Sequence, residues 1–80
     1  MEISDTQLEL LLFIALEQEK HGFPPTYREM CRRFRWKSTN AAASHVRSLF
    51  AAKLVSNRKG SARTLTVTAE GWALLNRRAA

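Results

Sequence analysis

The sequence predicts a mainly α fold with a small β-hairpin: a winged helix-turn-helix, with three helices, a two-stranded wing and a C-terminal helix. Three observations carry that expectation. Two capping-box patterns open helices near the start of the chain and again at Thr26. A third helical stretch, "STNAAASHVRSL", has small residues along one side, and an alternating "TLTVT" follows the basic turn "RKGSAR". Eighty residues form one domain, 1–80, with a modest core.

Ser4 with Gln7 starts the first helix, whose apolar residues run from Leu8 to Leu16. His21-Gly22 ends it, because glycine accepts the left-handed conformation of a helix terminus and Pro24-Pro25 cannot continue one. Thr26 with Glu29 opens a short second helix. There Tyr27, Met30, Cys31 and Phe34 fall at i, i+3, i+4 and i+7, the spacing of one buried stripe. Arg35-Trp36-Lys37 make a turn, and Ser38 or Thr39 caps the third helix. Its inner side holds Ala42, His45, Val46, Leu49 and the stem of Lys53; Asn40, Ala43, Ser44 and Arg47 share the other side. Leu54–Asn57 and Thr64–Thr68 are the strands, and Thr68 caps the last helix, "AEGWALLNRR".

Composition narrows the partner. The chain is 45% hydrophobic and 25% charged, as in ordinary globular domains. A single cysteine, Cys31, excludes an internal disulfide and suits a reducing cytoplasm. No apolar run approaches the length of a membrane span, and the acidic N-terminus lacks the features of a secretory signal. Net charge is +6, but it is unevenly placed. Residues 1–19 carry five acids and no base, whereas residues 20–63 carry eleven Lys or Arg against Glu29 alone, a net +10. Such self-repulsion implies a polyanionic partner.

A helix with a thin outer face fits the major groove of duplex DNA, which is barely wide enough for a helix. Asn40, Ala43, Ser44 and Arg47 are therefore the expected base readers: Asn40 toward adenine, Arg47 toward guanine or phosphate. Thr26, Tyr27, Arg28, Arg32, Arg35, Lys37, Ser38 and Thr39 are expected along the DNA backbone. Arg58, Lys59, Ser61 and Arg63 would place the wing on phosphates or in the minor groove. Blander roles compete: the alanines favour helix, Ser38 and Thr39 suit plain capping, and Arg33 can pair with Glu29. His21, Cys31 and His45 match no zinc spacing, and His45 and Cys31 are expected in the core. No phosphate loop or nucleophile–base pattern occurs, so no metal, cofactor, small-molecule ligand or enzymatic activity is expected.

The first helix has two apolar stripes. Leu10, Leu11 and Ile14 form one, and Leu8, Leu12 and Leu16 lie nearly opposite. The second stripe needs a cover. Either the last helix supplies it through Trp72 and Leu75, or a homodimer or a protein partner does.

The residues "GFPPTYREMCRRF" and "STNAAASHVRSL" resemble the N-terminal DNA-binding domain of LexA repressors, from about Ser4 to Val67. The resemblance rests on Gly22, Pro24, Pro25, Thr26 and Glu29, on Ser38, Asn40, Ala41, Ala42 and His45, and on Gly60 and Arg63 of the wing. It implies that Ser38, Asn40, Ala41, Ala43 and Ser44 lie at or beside the bases, with the second-helix start and the wing near phosphates. Acidic residues typical of the enterobacterial proteins are replaced by Ala43 and Ser44, so the base preference should differ. Arg35 and Lys53 stand where the family has glycines. "TAEGWALL" instead resembles the "LTxxG" entry to the last helix of MarR-like winged helices. The serine–lysine self-cleaving domain of LexA lies outside these residues, so self-cleavage is not an expected property. The expected function is that of a bacterial or phage transcriptional regulator, a repressor occupying its operator on the nucleoid in the cytoplasm. The alternative is a small winged-helix protein that binds and modulates another protein through its first helix.

Overall fold

The computed structural model describes residues 3–57 and 65–79. Along the chain run α1 (Asp5–His21), α2 (Tyr27–Phe34), α3 (Thr39–Ala51), β1 (Val55–Asn57), β2 (Leu65–Val67) and α4 (Ala69–Ala79). The predicted order holds, with each strand shorter than expected. Both capping boxes form. Gln7 N–H donates to Ser4 Oγ at 3.1 Å, and Ser4 N–H donates to Gln7 Oε1 at 3.1 Å. Thr26 and Glu29 make the same reciprocal pair, at 3.1 and 2.8 Å. Gly22 ends α1 in the left-handed conformation at φ 81°, its N–H donating to the Gln18 carbonyl.

α1 is the spine: α3, β2 and α4 all pack on it, and α2 packs on α3. Leu10, Leu11, Ile14 and Ala15 are fully buried there, meeting Met30, Ala42, Val46 and Leu49. Burying one such leucine is worth about 1.5–3 kcal/mol. The strands pair antiparallel, Val55 opposite Val67 and Asn57 opposite Leu65. Val55, Leu65 and Val67 point into the core.

The entry to α4 explains the "LTxxG" pattern. Thr68 Oγ1 donates to the Lys53 carbonyl at 2.8 Å and accepts from Gly71 N–H at 3.0 Å, so one hydroxyl caps α4 and ties it to the end of α3. A Cβ on Gly71 would run into the Leu54 carbonyl oxygen and lie 2.7 Å from Val67 Cγ1. Only glycine lets α4 sit this close to the hairpin.

Several sequence expectations change. Of the two covers offered for the second stripe of α1, the last helix supplies the one for Leu8: Leu75 is in the core, and Leu8 and Trp72 are half-buried against it, because α4 packs on α1. Of the second stripe, Leu12 and Leu16 stay open. Tyr27 leaves the predicted buried stripe and is exposed, since it starts α2 ahead of the α2–α3 contact. Lys53 is exposed and lies beyond the end of α3, in left-handed backbone, so it is not on the helix's inner side. Cys31 is half-buried and not a full core residue; its Sγ donates to the Ser38 carbonyl at 3.1 Å.

Candidate nucleic-acid interface

At about 100° per residue, Ala43, Arg47, Asn40 and Ser44 span roughly 100° of α3. Asn40, Ser44 and Arg47 are exposed and Ala43 is half-buried, while Ala42, Val46 and Leu49 are buried behind them. The four expected base readers therefore share one outward strip. Ala51, also exposed, extends it as another small residue that the sequence reading left out. A helix with such a small-residue strip is thin enough for its backbone to approach a groove floor closely.

The backbone-binding candidates lie at the start and along α2, in the turn and at the start of α3. Thr26, Tyr27, Arg28, Arg32, Arg35, Lys37, Ser38 and Thr39 are all exposed. Arg28 and Arg32 lie one turn apart on α2, and Arg35 and Lys37 belong to the turn leading into α3. Arg33 does not pair with Glu29 in an ion pair; its guanidinium lies over the Phe34 ring, 5.0 Å from the centroid. Among the described residues the one basic side chain within 4 Å of a carboxylate is His21, 3.7 Å from Glu17 on α1. No cation of α2 or α3 among the described residues makes a close ion pair with a carboxylate. Arg58, Lys59, Ser61 and Arg63 fall in segment 58–64, outside the described residues.

The N-termini differ in a way that matters for anions. α1, α2 and α4 each have an acidic residue in the first turn and a side-chain cap. Ser38, the N-cap of α3, makes no side-chain capping bond, and the first turn of α3 has no acid. Its free N–H groups and the positive end of its dipole stay open between Lys37 and Thr39. Hydroxyls and unsatisfied N–H groups at a helix start suit phosphate oxygens.

α3 is held in place by stacked rings that the sequence reading missed. Trp36 stacks on His45 at 4.7 Å and on Phe34 at 4.9 Å, and Phe34 meets Phe13 edge-on at 6.0 Å. His45 is therefore half-buried against an indole and not a core histidine. The ladder links α1, α2, the turn and α3, so it fixes how α3 projects. Its members lie 13, 34, 36 and 45 along the chain, and no single helical spacing connects them. Two further features were visible only as departures. Arg35 and Lys53 both take left-handed backbone, at φ 59° and 61°, where the resemblance puts glycine. The turn geometry survives the loss of glycine. Among the described residues no group of three or more metal-ligating side chains gathers, and no helix is long and apolar enough to cross a membrane.

Residues 1–64 match the family model for the LexA DNA binding domain. The chain belongs to that family. LexA-family membership also appears in individual relatives. The LexA repressor of Azoarcus sp. is 39% identical over 80 residues, 99% of this chain and 40% of the relative. That of Halorhodospira halophila is 35% identical over 66 residues, 82% of this chain and 29% of the relative. That of Myxococcus xanthus is 34% identical over 74 residues, 92% and 33% respectively. The chain spans less than half the length of these relatives. The LexA-type winged helix accounts for the order of elements and for the outward strip on α3. It does not favour a module that binds protein in place of DNA.

Proposed function

We propose that this chain is the operator-binding part of a transcriptional repressor. α3 lies in the major groove, Asn40 and Arg47 read base edges, and Ala43 and Ser44 permit the close approach. Thr26, Tyr27, Arg28, Arg32, Arg35, Lys37, Ser38 and Thr39 hold phosphates on either side, with the basic wing segment on the flanking backbone. Repression comes from occupying a promoter on the genomic DNA of the nucleoid, with no chemical step in the domain.

The observation that carries this reading is the outward strip of α3 beginning at an acid-free, uncapped N-terminus. Selection from a randomised duplex pool at near-physiological salt, followed by sequencing, tests it. Wild-type protein should enrich a defined site. Asn40→Ala with Arg47→Ala should reduce affinity for that site by about 1–3 kcal/mol for each base contact and flatten the selectivity. Unselective, salt-abolished binding by the wild type would overturn the reading.

A further inference from the structure

A groove lies between the start of α2 and the hairpin. Phe23, Pro24 and Tyr27 line it from the α2 side, Asn57 and Leu65 from the strands, and Phe50 from α3. Phe23 is 59% exposed and Tyr27 40%, so two large rings stand open beside a helix start expected to hold phosphate. The Phe23 ring is backed by His21, on which it stacks at 5.5 Å and 22°, and His21 lies 3.7 Å from Glu17. A ring already held in place loses little freedom on making a contact. No residue lining the groove carries a charge. Glu29, the acid nearest to Tyr27 in sequence, is taken up by the Thr26 N–H at 2.8 Å.

The position of the groove decides what covers it. At about 100° per residue, Phe50 sits about 20° from Ala43 around α3, so the groove opens beside the outward strip. Arg28 follows Tyr27, and Arg58-Lys59 follow Asn57, so in the sequence cations flank both aromatic-rich margins of an uncharged stretch. A DNA strand alternates in the same way, with anionic phosphates separated by deoxyriboses whose C–H faces are apolar. A phosphate over the rings would lose water and gain no donor. A sugar there buries apolar area and leaves the phosphates on either side to the cations. A free aromatic ligand or an apolar protein segment would use the rings and leave those cations unmatched.

We propose that Phe23, with Tyr27 and Phe50 beside it, packs on the deoxyribose of the DNA strand that passes from the α3 strip toward the wing. The contact carries no base information and holds the strand in position. It rests on the operator reading only for the side of the molecule that meets DNA.

The test compares Phe23→Ala, Phe23→Leu and Arg28→Ala in the full chain, on the selected duplex and on a scrambled one. Phe23→Ala should weaken both about five- to tenfold, with the slope of affinity against salt unchanged, because no phosphate contact is lost. Arg28→Ala should instead lower that slope by about 1. Phe23→Leu keeps apolar surface and should recover most of the loss. Hydroxyl-radical cleavage reads the sugars directly. Wild type should protect deoxyriboses beside the α3 site on one strand, and Phe23→Ala should expose those alone. Circular dichroism checks each fold; if Phe23→Ala fails to fold, Tyr27→Ala should expose the same sugars. Wild-type affinity with an unchanged cleavage pattern overturns the proposal and gives the groove to a free ligand or a protein. A lowered salt slope in Phe23→Ala overturns it too, since the ring then acts through a phosphate. Failure of the selection to recover a site sinks the operator reading alone, because a sugar contact is independent of sequence and the scrambled duplex still decides it.

Discussion

The N-termini of α2 and α3 bound the two helices of one helix-turn-helix, yet they are finished in opposite ways. α2 closes on itself: Thr26 and Glu29 satisfy each other's backbone N–H groups at 3.1 and 2.8 Å. α3 starts at Ser38 with no side-chain cap and no acid in its first turn. The first arrangement uses the helix start for stability, and the second leaves its N–H groups without a side-chain cap. A fold that repeats one motif need not repeat its use. The open terminus belongs to the helix whose outward strip carries Asn40, Ser44 and Arg47.

Closing the open terminus should have the largest effect. Ser38→Asp puts a carboxylate where phosphate is expected, while favouring the α3 dipole by about 0.3–1 kcal/mol. Thermal stability should hold or rise. Affinity for the selected duplex should fall about 100-fold, or about 2.7 kcal/mol, because a negative charge now faces the backbone. Calorimetry and a binding titration on one preparation check both halves. A variant that binds DNA as tightly as wild type would show that the start of α3 touches no phosphate.

Removing the two hydroxyls should separate the termini by property. Thr26→Ala loses a formed cap and should destabilise the domain by about 1 kcal/mol. Ser38→Ala removes no capping bond, so its unfolding midpoint in urea should stay close to wild type while DNA affinity drops. Equal losses of stability in the two variants would mean that Ser38 caps α3 in solution and the contrast between the helices is false.

Elements that depend on neighbours in the chain were legible in the sequence. Both capping boxes, the Gly22 stop and the Thr68 cap are local patterns, and each forms. The outward strip of α3 was readable because helical spacing alone places Asn40, Ala43, Ser44 and Arg47 together. What depends on distant contacts was not legible. The sequence left open whether α4 or a second chain covers Leu8, and only the packing of α4 on α1, with Leu75 in the core, decides it. Tyr27 fits the apolar spacing of α2 yet lies outside the buried area. The stack of Phe13, Phe34, Trp36 and His45 joins residues with no shared period. Gly71 lies between: the pattern marks it, and the reason, the closeness of Leu54 and Val67, needs the fold.

Arg35 and Lys53 extend the contrast to helix ends. Both hold left-handed backbone, where a side chain costs about 1–2 kcal/mol and glycine costs less. Glycine also loses more freedom on folding, so Arg35→Gly and Lys53→Gly should each stabilise by up to about 1 kcal/mol. Arg35, in the turn before the open terminus, should give up DNA affinity in exchange, with a shallower dependence on salt. Lys53→Gly should raise the unfolding midpoint with a smaller change in binding. If Arg35→Gly improves both properties, Arg35 touches no phosphate.

The smallest expected effect is acid sensitivity, and it too should divide the two termini. The Thr26 N–H is the main cause holding the Glu29 carboxyl below its ordinary 4.5; loss of hydration opposes it, and the Thr26 hydroxyl, Arg32 and His21 act in the same direction as the N–H. A carboxyl whose value is lower in the folded state stabilises fully above the unfolded value, and that contribution fades as pH falls through the folded one. The α2 cap should therefore weaken below about pH 4.5, whereas the start of α3 has no carboxyl to protonate. Glu29→Gln keeps an acceptor for the Thr26 N–H and removes the titration. Its stability, measured by urea unfolding from pH 6 down to pH 3, should fall less steeply than that of wild type. Parallel curves would mean that the Glu29 carboxylate contributes nothing at α2 that an uncharged amide does not.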